Sequence, residues 1–236
     1  MTMNNNTYID WKNWEENTFA STSKLERAYF KNILKLLRLK DSSKILEIGF
    51  GNGSFLGYAS SQEFDYEGIE TNEKLVDLAI KNNFSAFTSL DQLDRKAKYD
   101  AIILFDVIEH IHGDDVEDFL KEMNLHLNKN GSIFLRFPNG SSPLGLGNQH
   151  GDVTHCNIVT LAKLNYWCYN TNLKVIFYRG DIRPFIFKHN ILKMPSRVIR
   201  LFFHNLTEKF IRTISNQSKG VLSANLEVII KKSDEN

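Results

Sequence analysis

The sequence predicts an α/β fold, a doubly wound and mostly parallel sheet of seven strands. From residue 44 onward, short apolar runs alternate with amphipathic helical patterns, as they do in successive βαβ units. The run at 99–105 is apolar on both faces, which is typical of a central strand of a parallel sheet. A glycine-rich turn joins the first run to the next helix. We expect an N-terminal helical cap and a helical insertion before the last strand.

Composition narrows the class of protein. The chain has 236 residues, 42% hydrophobic and 24% charged, enough for one sizeable core with an appendage. A net charge of +1 gives no indication of nucleic-acid binding, and we expect none. The sequence shows no signal peptide and no apolar run of the ~18–20 residues that span a bilayer, so we expect a cytoplasmic protein. Cys156 and Cys168 lack metal or redox spacing and are expected to be free thiols.

Residues 1–40 are expected to form a polar tail and the helical cap. Residues 1–6 are polar, and an aromatic stretch follows them. Residues 23–26 (SKLE) have the capping-box pattern of a helix start, and apolar residues then recur at helical spacing up to Leu37.

Residues 41–236 are expected to form the main domain. Its predicted strands are 44–49, 66–70, a weaker 84–87, 99–105, 131–137, 173–179 and 223–231. Its predicted helices are about 53–61, 72–82, 114–127 and 158–170, with a long loop at 138–152. A basic and apolar helical insertion at 186–216 precedes the last strand.

The glycine-rich turn predicts a ligand that carries an ammonium group. In residues 44–55 (KILEIGFGNGSF) a buried strand leads into Gly49, Gly51 and Gly53, where the backbone must turn sharply and touch a ligand. A nicotinamide-dependent oxidoreductase is an alternative, but its pattern would place the third glycine where Ser54 or Phe55 stands. Glu47, two residues before the first glycine, suits an ammonium better than a pyrophosphate.

Two further acids end predicted strands. Glu70 ends the second strand, where a carboxylate can accept hydrogen bonds from both ribose hydroxyls; a solvated acid is the alternative. Asp106 ends the central strand, beside the point where strand order reverses and ligands bind in such sheets. The two positions place both acids at one edge of the sheet.

With these residues the chain resembles the class I S-adenosylmethionine (SAM)-dependent methyltransferases, over about residues 20–180 and the last strand. The resemblance is carried by LEIGFGNGSF and FDVIEHI, and RFPNG and NQHGDVTH make it most similar to bacterial methyltransferases of surface-polysaccharide biosynthesis. It implies a Rossmann-like methyltransferase fold, SAM as cofactor and S-adenosylhomocysteine as product. It implies these cofactor contacts: Glu47, Gly49, Gly51 and Gly53 near the methionine and ribose, Glu70 on the ribose, Asp106 at the methionine end, and Ser89, Leu90 or Asp91 at the adenine. A catalytically idle SAM-binding partner protein is a further alternative.

The loop after the fifth strand is the expected catalytic segment. An alcohol acceptor must lose its proton, and histidine, with an ordinary pKa of ~6.5, is a suitable base. We predict His155 as the base, oriented by Asp152, with His150 as the second candidate. A structural role for His155 is the alternative; no metal is assigned, although His150, Asp152 and His155 have spacing that would permit one. His110 and His112 are expected to cap the helix after the fourth strand.

The acceptor is expected to be a sugar hydroxyl of a nucleotide- or lipid-linked surface glycan. A small phenol, a quinone precursor or an amine is the alternative. Carbohydrate could stack on aromatic side chains at five positions: Trp11, Trp14, Tyr166, Trp167 and Tyr169. Residues 185–214 carry six basic residues against one acid, so this segment covers the site or a sheet edge, forms a dimer contact, or lies on an anionic membrane through 186–214. The oligomeric state is left open.

Overall fold

The predicted sheet is confirmed. A computed structural model describes residues 11–12, 14, 16–181, 206, 209, 213 and 221–233. Within them one sheet has the strand order β3-β2-β1-β4-β5-β7-β6. The strands are β1 (Lys44–Ile48), β2 (Asp65–Ile69), β3 (Ala86–Phe87), β4 (Tyr99–Phe105), β5 (Leu127–Pro138), β6 (Leu173–Gly180) and β7 (Asn225–Lys232). β1 to β5 pair in parallel, and β7 runs antiparallel between β5 and β6.

The helices begin and end close to the predicted positions. They are α1 (Lys24–Leu37), α2 (Ser54–Ser60), α3 (Glu73–Lys81), α4 (Val116–His126), α5 (Leu146–His150) and α6 (Leu161–Asn170). The capping box of α1 is present: the Glu26 amide donates to Ser23 Oγ (3.2 Å), and the Ser23 amide donates to Glu26 Oε2 (2.8 Å). This reciprocal pair satisfies two amides at the helix start and fixes where the cap helix begins.

Both faces of the sheet are buried, because alternate residues of the central strands point to opposite sides. Ile45 and Ile103 pack with α1, α2 and α3, whereas Leu46 and Ile102 pack with α4 and α6. All four are fully buried.

The carboxyl ends of β1, β2 and β4 meet at one edge of the sheet because these strands are parallel. Strand order reverses between β1 and β4, where such sheets form a ligand crevice.

Three differences from the sequence prediction concern irregular segments, and the predicted insertion lies almost wholly outside the described residues. β3 is an edge strand of only two residues, and β5 begins at Leu127 because that residue pairs with Tyr99 across a bulge. The predicted loop 138–152 contains a 3-10 turn, Pro143–Gly145, and the short helix α5. Of the predicted insertion 186–216, only residues 206, 209 and 213 are described.

The cysteine prediction is confirmed, since Cys156 and Cys168 are both free thiols. Among the described helices, none has the length and apolarity needed to cross a bilayer.

Candidate functional site

A cavity of about 1340 Å³ opens at the carboxyl ends of β1, β2 and β4. The lining includes the glycine loop with the end of β2, the turn after β4, and Asp152, Thr154 and His155. Trp14 and α1 supply further lining, so the N-terminal cap contributes to the site. The cavity therefore joins the two groups of residues that the sequence singled out.

Glu70 and the glycine loop are fixed to each other. The Gly51 amide donates to Glu70 Oε2 (3.0 Å) and the Asn72 amide donates to Glu70 Oε1 (3.1 Å). Gly51 has a φ of +52°, and a Cβ there would lie 2.9 Å from the Trp14 ring. A side chain at position 51 would thus strain the backbone and displace Trp14, instead of filling the ligand's space directly as the sequence suggests.

Glu47 is a buried carboxyl in the cavity wall, only 2% exposed. The Tyr66 hydroxyl donates to its Oε2 at 2.5 Å. Burial raises the pKa of Glu47 to about 8; the Tyr66 hydrogen bond opposes the rise and the nearby Glu70 charge adds to it. The unliganded cavity thus presents an acid that gains from a cationic partner.

Asp106 lies in the left-handed region with a φ of +55°. Arg136, at the end of β5, donates from Nε to Asp106 Oδ1 (3.0 Å) and from Nη2 to Oδ2. Both side chains line the cavity. A bidentate pair of this kind fixes the carboxylate more tightly than a single bond would.

Two predicted cofactor residues lie outside the cavity lining. Gly53 is the N-cap of α2 with a φ of +73°, and a Cβ there would meet the Phe19 ring at 3.1 Å, so its conformation serves the helix start. Asp91 is exposed, and Thr88, Ser89 and Leu90 line the cavity in its place.

His155 is brought to the cavity lining. Its Nδ1 lies 3.0 Å from the Gln149 carbonyl, which can only accept, so Nδ1 carries the proton and Nε2 presents a lone pair when the ring is neutral. Nε2 lies 3.9 Å from both Asp152 Oδ2 and Glu109 Oε1. The hydrogen bond to the ring therefore comes from the Gln149 backbone, and Asp152, the predicted orienting residue, contacts the ring only at ion-pair distance.

Asp152 is bound to other partners. It accepts hydrogen bonds from Lys12 Nζ (2.9 Å), the Thr154 amide (2.9 Å) and Thr154 Oγ1 (2.5 Å). Burial opposes ionisation, but these bonds outweigh it and lower the pKa of Asp152 to about 2. Asp152 is thus an anion that ties residue 12 of the N-terminal cap to the catalytic loop.

The positions of His110, His112 and His150 differ from those predicted. His110 Nδ1 lies 3.3 Å from the Thr154 carbonyl, and its ring packs edge-on against His155 with centroids 4.7 Å apart. Burial, followed by the neighbouring His155, lowers the pKa of His110. His112 is exposed and makes no capping hydrogen bond through its side chain. Neither caps α4 as expected, and His150 is exposed and outside the lining.

Glu109 is the residue that sequence reasoning missed. It is fully buried, and neither carboxylate oxygen has a hydrogen-bond partner among the described residues. Burial, reinforced by Asp106, raises its pKa to about 8. The only signal was its place beside His110 in FDVIEHI, which does not reveal that the side chain turns inward.

One of the five predicted stacking aromatics lines the cavity. Trp14 covers the glycine loop there, and Trp11 is 42% exposed beside Lys12. Trp167 belongs to the core, and Tyr166 and Tyr169 are exposed on α6 outside the lining.

Comparison with known proteins identifies the family of the chain. A sequence profile described as a methyltransferase domain matches residues 21–177. The ubiquinone biosynthesis O-methyltransferase of Pelagibacter ubique is 27% identical over 119 residues, 44% of this chain and 48% of the relative. That of Rickettsia typhi is 26% identical over 133 residues, 50% of this chain and 53% of the relative. The matches thus span about half the length of these curated relatives.

The fold is also shared with solved structures. A SAM-dependent methyltransferase from Archaeoglobus fulgidus superimposes with a TM-score of 0.61 at 22% identity, covering 87% of this chain and 94% of that one. The profile match extends over more than half of the sequence. The chain therefore belongs to the methyltransferase-domain family.

Proposed function

We propose that this member of the family transfers the methyl group of SAM to an oxygen of a small-molecule or glycan acceptor. One observation carries the proposal. A single cavity is lined both by the carboxylates of Glu47 and Glu70 and by the imidazole of His155. The carboxylates of Glu47 and Glu70 suit the ammonium and the ribose hydroxyls of SAM. The imidazole of His155 suits an acceptor that must lose a proton.

In the proposed complex the ammonium of SAM pairs with Glu47 and the ribose hydroxyls donate to Glu70. Glu70 accepts two backbone hydrogen bonds and retains lone pairs toward the cavity, because a carboxylate has about four acceptor positions. Asp106, fixed by Arg136, stands at the methionine end. Adenine is assigned to the wall formed by residues 88–90.

The reaction needs alignment more than covalent help. A lone pair of the acceptor oxygen attacks the methyl carbon, the carbon–sulfur bond breaks, and its electrons neutralise the sulfonium. The acceptor proton leaves toward the His155 end of the cavity. Holding oxygen, methyl and sulfur in line contributes ~7–11 kcal/mol of the barrier reduction. The Nε2 lone pair of His155 serves either by taking the proton or by holding a cation that acidifies the hydroxyl.

For the acceptor we propose a sugar hydroxyl of a nucleotide- or lipid-linked surface glycan, as the resemblance of the loop motifs implies. Trp14 at the cavity wall offers a ring on which a sugar can stack. A phenol or quinone precursor is the second candidate. It is favoured by the ubiquinone biosynthesis relatives and by Phe30, Phe55 and Phe105 in the lining, which suit a flat ring.

Transfer of radiolabelled methyl from SAM to a panel of nucleotide sugars, polyprenyl-linked sugars and phenols tests both acceptor classes. His155→Ala should lower kcat about 10²–10⁴-fold while SAM affinity stays unchanged, because the imidazole acts on the acceptor side only. His112→Ala, an exposed histidine outside the cavity, is the matched control and should keep full activity. Loss of SAM binding in His155→Ala would instead assign that histidine a structural role.

A further inference from the structure

Glu109 has no role in the mechanism so far, yet its position is costly. A buried carboxyl without hydrogen bonds costs several kcal/mol of solvation, and both Glu109 oxygens are without partners in the described chain. Such a group in a native structure calls for a ligand, water or ion. Two more unpartnered polar atoms lie in the segment around His155, Gln149 Oε1 and Asn157 Nδ2.

The atoms that face Glu109 are metal-ligand atoms. One ligand atom from each of Glu109, His110 and His155 lies within 4.8 Å of the other two. Glu109 Oε1 and His155 Nε2 are 3.9 Å apart. Two ligands at ~2.1 Å from a tetrahedral ion stand about 3.4 Å apart, so a small approach of the side chains closes the site.

Both histidines already have the outer partners of metal ligands. The Gln149 carbonyl accepts from His155 Nδ1 at 3.0 Å. His110 Nδ1 faces the Thr154 carbonyl at 3.3 Å and the Thr154 hydroxyl at 3.0 Å, and that hydroxyl donates its own proton to Asp152. A carbonyl at Nδ1 keeps the proton there and leaves the Nε2 lone pair for an ion. Thus the tautomer that binds metal is the one this backbone selects in both rings.

The backbone also fixes the carboxylate against the histidine loop. The Glu109 carbonyl accepts hydrogen bonds from the amides of Cys156 and Asn157, each at 3.1 Å. The turn after β4 and residues 152–157 are thereby held together before any ion binds. Preorganisation of this kind lowers the cost of assembling the ligands.

The charges around Glu109 are the next consideration. Asp106 and Asp152 are the nearby acids, paired with Arg136 and Lys12 respectively. A divalent ion at Glu109 would compensate the buried carboxylate, which accepts no hydrogen bond from the described residues and lies within ion-pair distance only of His155. It would also lie at the cavity wall, since both His110 and His155 line it.

We propose that Glu109, His110 and His155 bind a first-row divalent transition-metal ion. Two imidazoles and one carboxylate suit Zn²⁺ or Mn²⁺ better than Mg²⁺, which prefers oxygen ligands. Three protein ligands would leave a coordination position for the acceptor oxygen. Resting on the proposed function, the bound ion takes the acceptor oxygen and lowers the pKa of its hydroxyl, whose proton leaves to water in the cavity. The ligand set differs from the trio of the sequence analysis, because His150 is exposed and Asp152 is paired with Lys12.

Two titrations of the chelator-treated protein test the site without acceptor or SAM. Binding of Zn²⁺ and Mn²⁺ is measured by calorimetry, and binding of Co²⁺ is measured by its visible absorption. We expect one equivalent to bind, with affinity reduced at least ~100-fold in Glu109→Gln. Glu122→Gln is the matched control: Glu122 stands 3.5 Å from His126 on α4, away from the cavity, and its removal should leave binding unchanged. Absence of saturable binding, or equal binding by Glu109→Gln, overturns the proposal.

Two readouts keep the outcomes separate. Glu109→Gln should fold and bind SAM normally, since the carboxyl it replaces has no partner; if that variant does not fold, His110→Asn takes its place with the same expected loss. Metal binding without methyl transfer to any acceptor would leave the site standing and reject the proposed function. Full methyl transfer in chelator would leave the function standing and reject the proposed role of the ion on the acceptor hydroxyl, whereas absence of saturable binding in the titration would reject the site itself.

Discussion

Binding of SAM should release a proton from Glu47. In the unliganded cavity burial raises the pKa of this carboxyl to about 8, so at pH 7 roughly nine-tenths of the molecules hold it protonated. An ammonium can pair only with the ionised form, which must therefore be generated on binding. The cost at pH 7 is about 1.4 kcal/mol, one pH unit below the pKa, or about tenfold in affinity.

The consequence is a SAM affinity that rises with pH. Between pH 6 and 7 the association constant should increase about tenfold, and the rise should flatten as the pH nears 8. Tyr66→Phe should move the rise to higher pH, because the Tyr66 hydrogen bond lowers the pKa of Glu47. Glu47→Gln should bind SAM more weakly and without the slope.

Calorimetry in two buffers of different ionisation enthalpy measures the released proton directly. We expect close to 0.9 proton per SAM at pH 7 for the wild type and none for Glu47→Gln. The same pKa shift makes the stability of the fold depend on pH in the absence of SAM. Because the pKa of Glu47 is higher in the folded protein than in the unfolded chain, its contribution to the free energy of unfolding is fully present at low pH and is lost as the pH rises from about 4.5 to 8. Proton release that is unchanged in Glu47→Gln would refute the assignment of Glu47 to the ammonium.

Three further predictions concern Glu70, Gly51 and the segment 186–214. Glu70→Ala should weaken SAM binding by ~1–3 kcal/mol without loss of the fold, whereas Glu73→Ala, an exposed acid on α3, should leave SAM affinity unchanged in the same calorimetry. Gly51→Val should abolish SAM binding through its positive φ and the Trp14 contact; Gly147→Val, where a Cβ meets nothing within 4 Å, is the control. If the segment 186–214 lies on a membrane, the protein should sediment with anionic vesicles, and less of it should sediment as the salt concentration rises, because electrostatic attraction is screened within ~10 Å at 0.1 M. If the protein does not bind the vesicles, or binds them independently of salt, the segment instead covers the site or a sheet edge or forms a dimer contact.

The cofactor side of the site could be predicted from sequence because its signals are local. A buried strand, a glycine turn and an acid at the strand end place Glu47 and Glu70 at one edge of any parallel sheet. Gly53 belongs to the same pattern but lies outside the cavity lining and packs near Phe19 of the N-terminal cap, a packing relation that the glycine pattern does not encode.

The acceptor side depended on contacts between distant segments. The Gln149 carbonyl orients His155 because the irregular loop forms the short helix α5, which has no apolar period to predict it. Glu109 reads as an ordinary polar residue until the turn after β4 closes against residues 156 and 157. The burial of Glu109 and the tautomer of His155 both depend on contacts between distant segments, and a single sequence does not show such contacts.

A structure of the chain with S-adenosylhomocysteine bound tests the account most directly. We predict the ligand in the cavity with its ammonium at Glu47 and its ribose hydroxyls on Glu70. Its sulfur should face the wall formed by His110, Asp152 and His155. A ligand whose sulfur points away from that wall, or whose ammonium lies far from Glu47, would contradict the assignment of the two sides of the cavity.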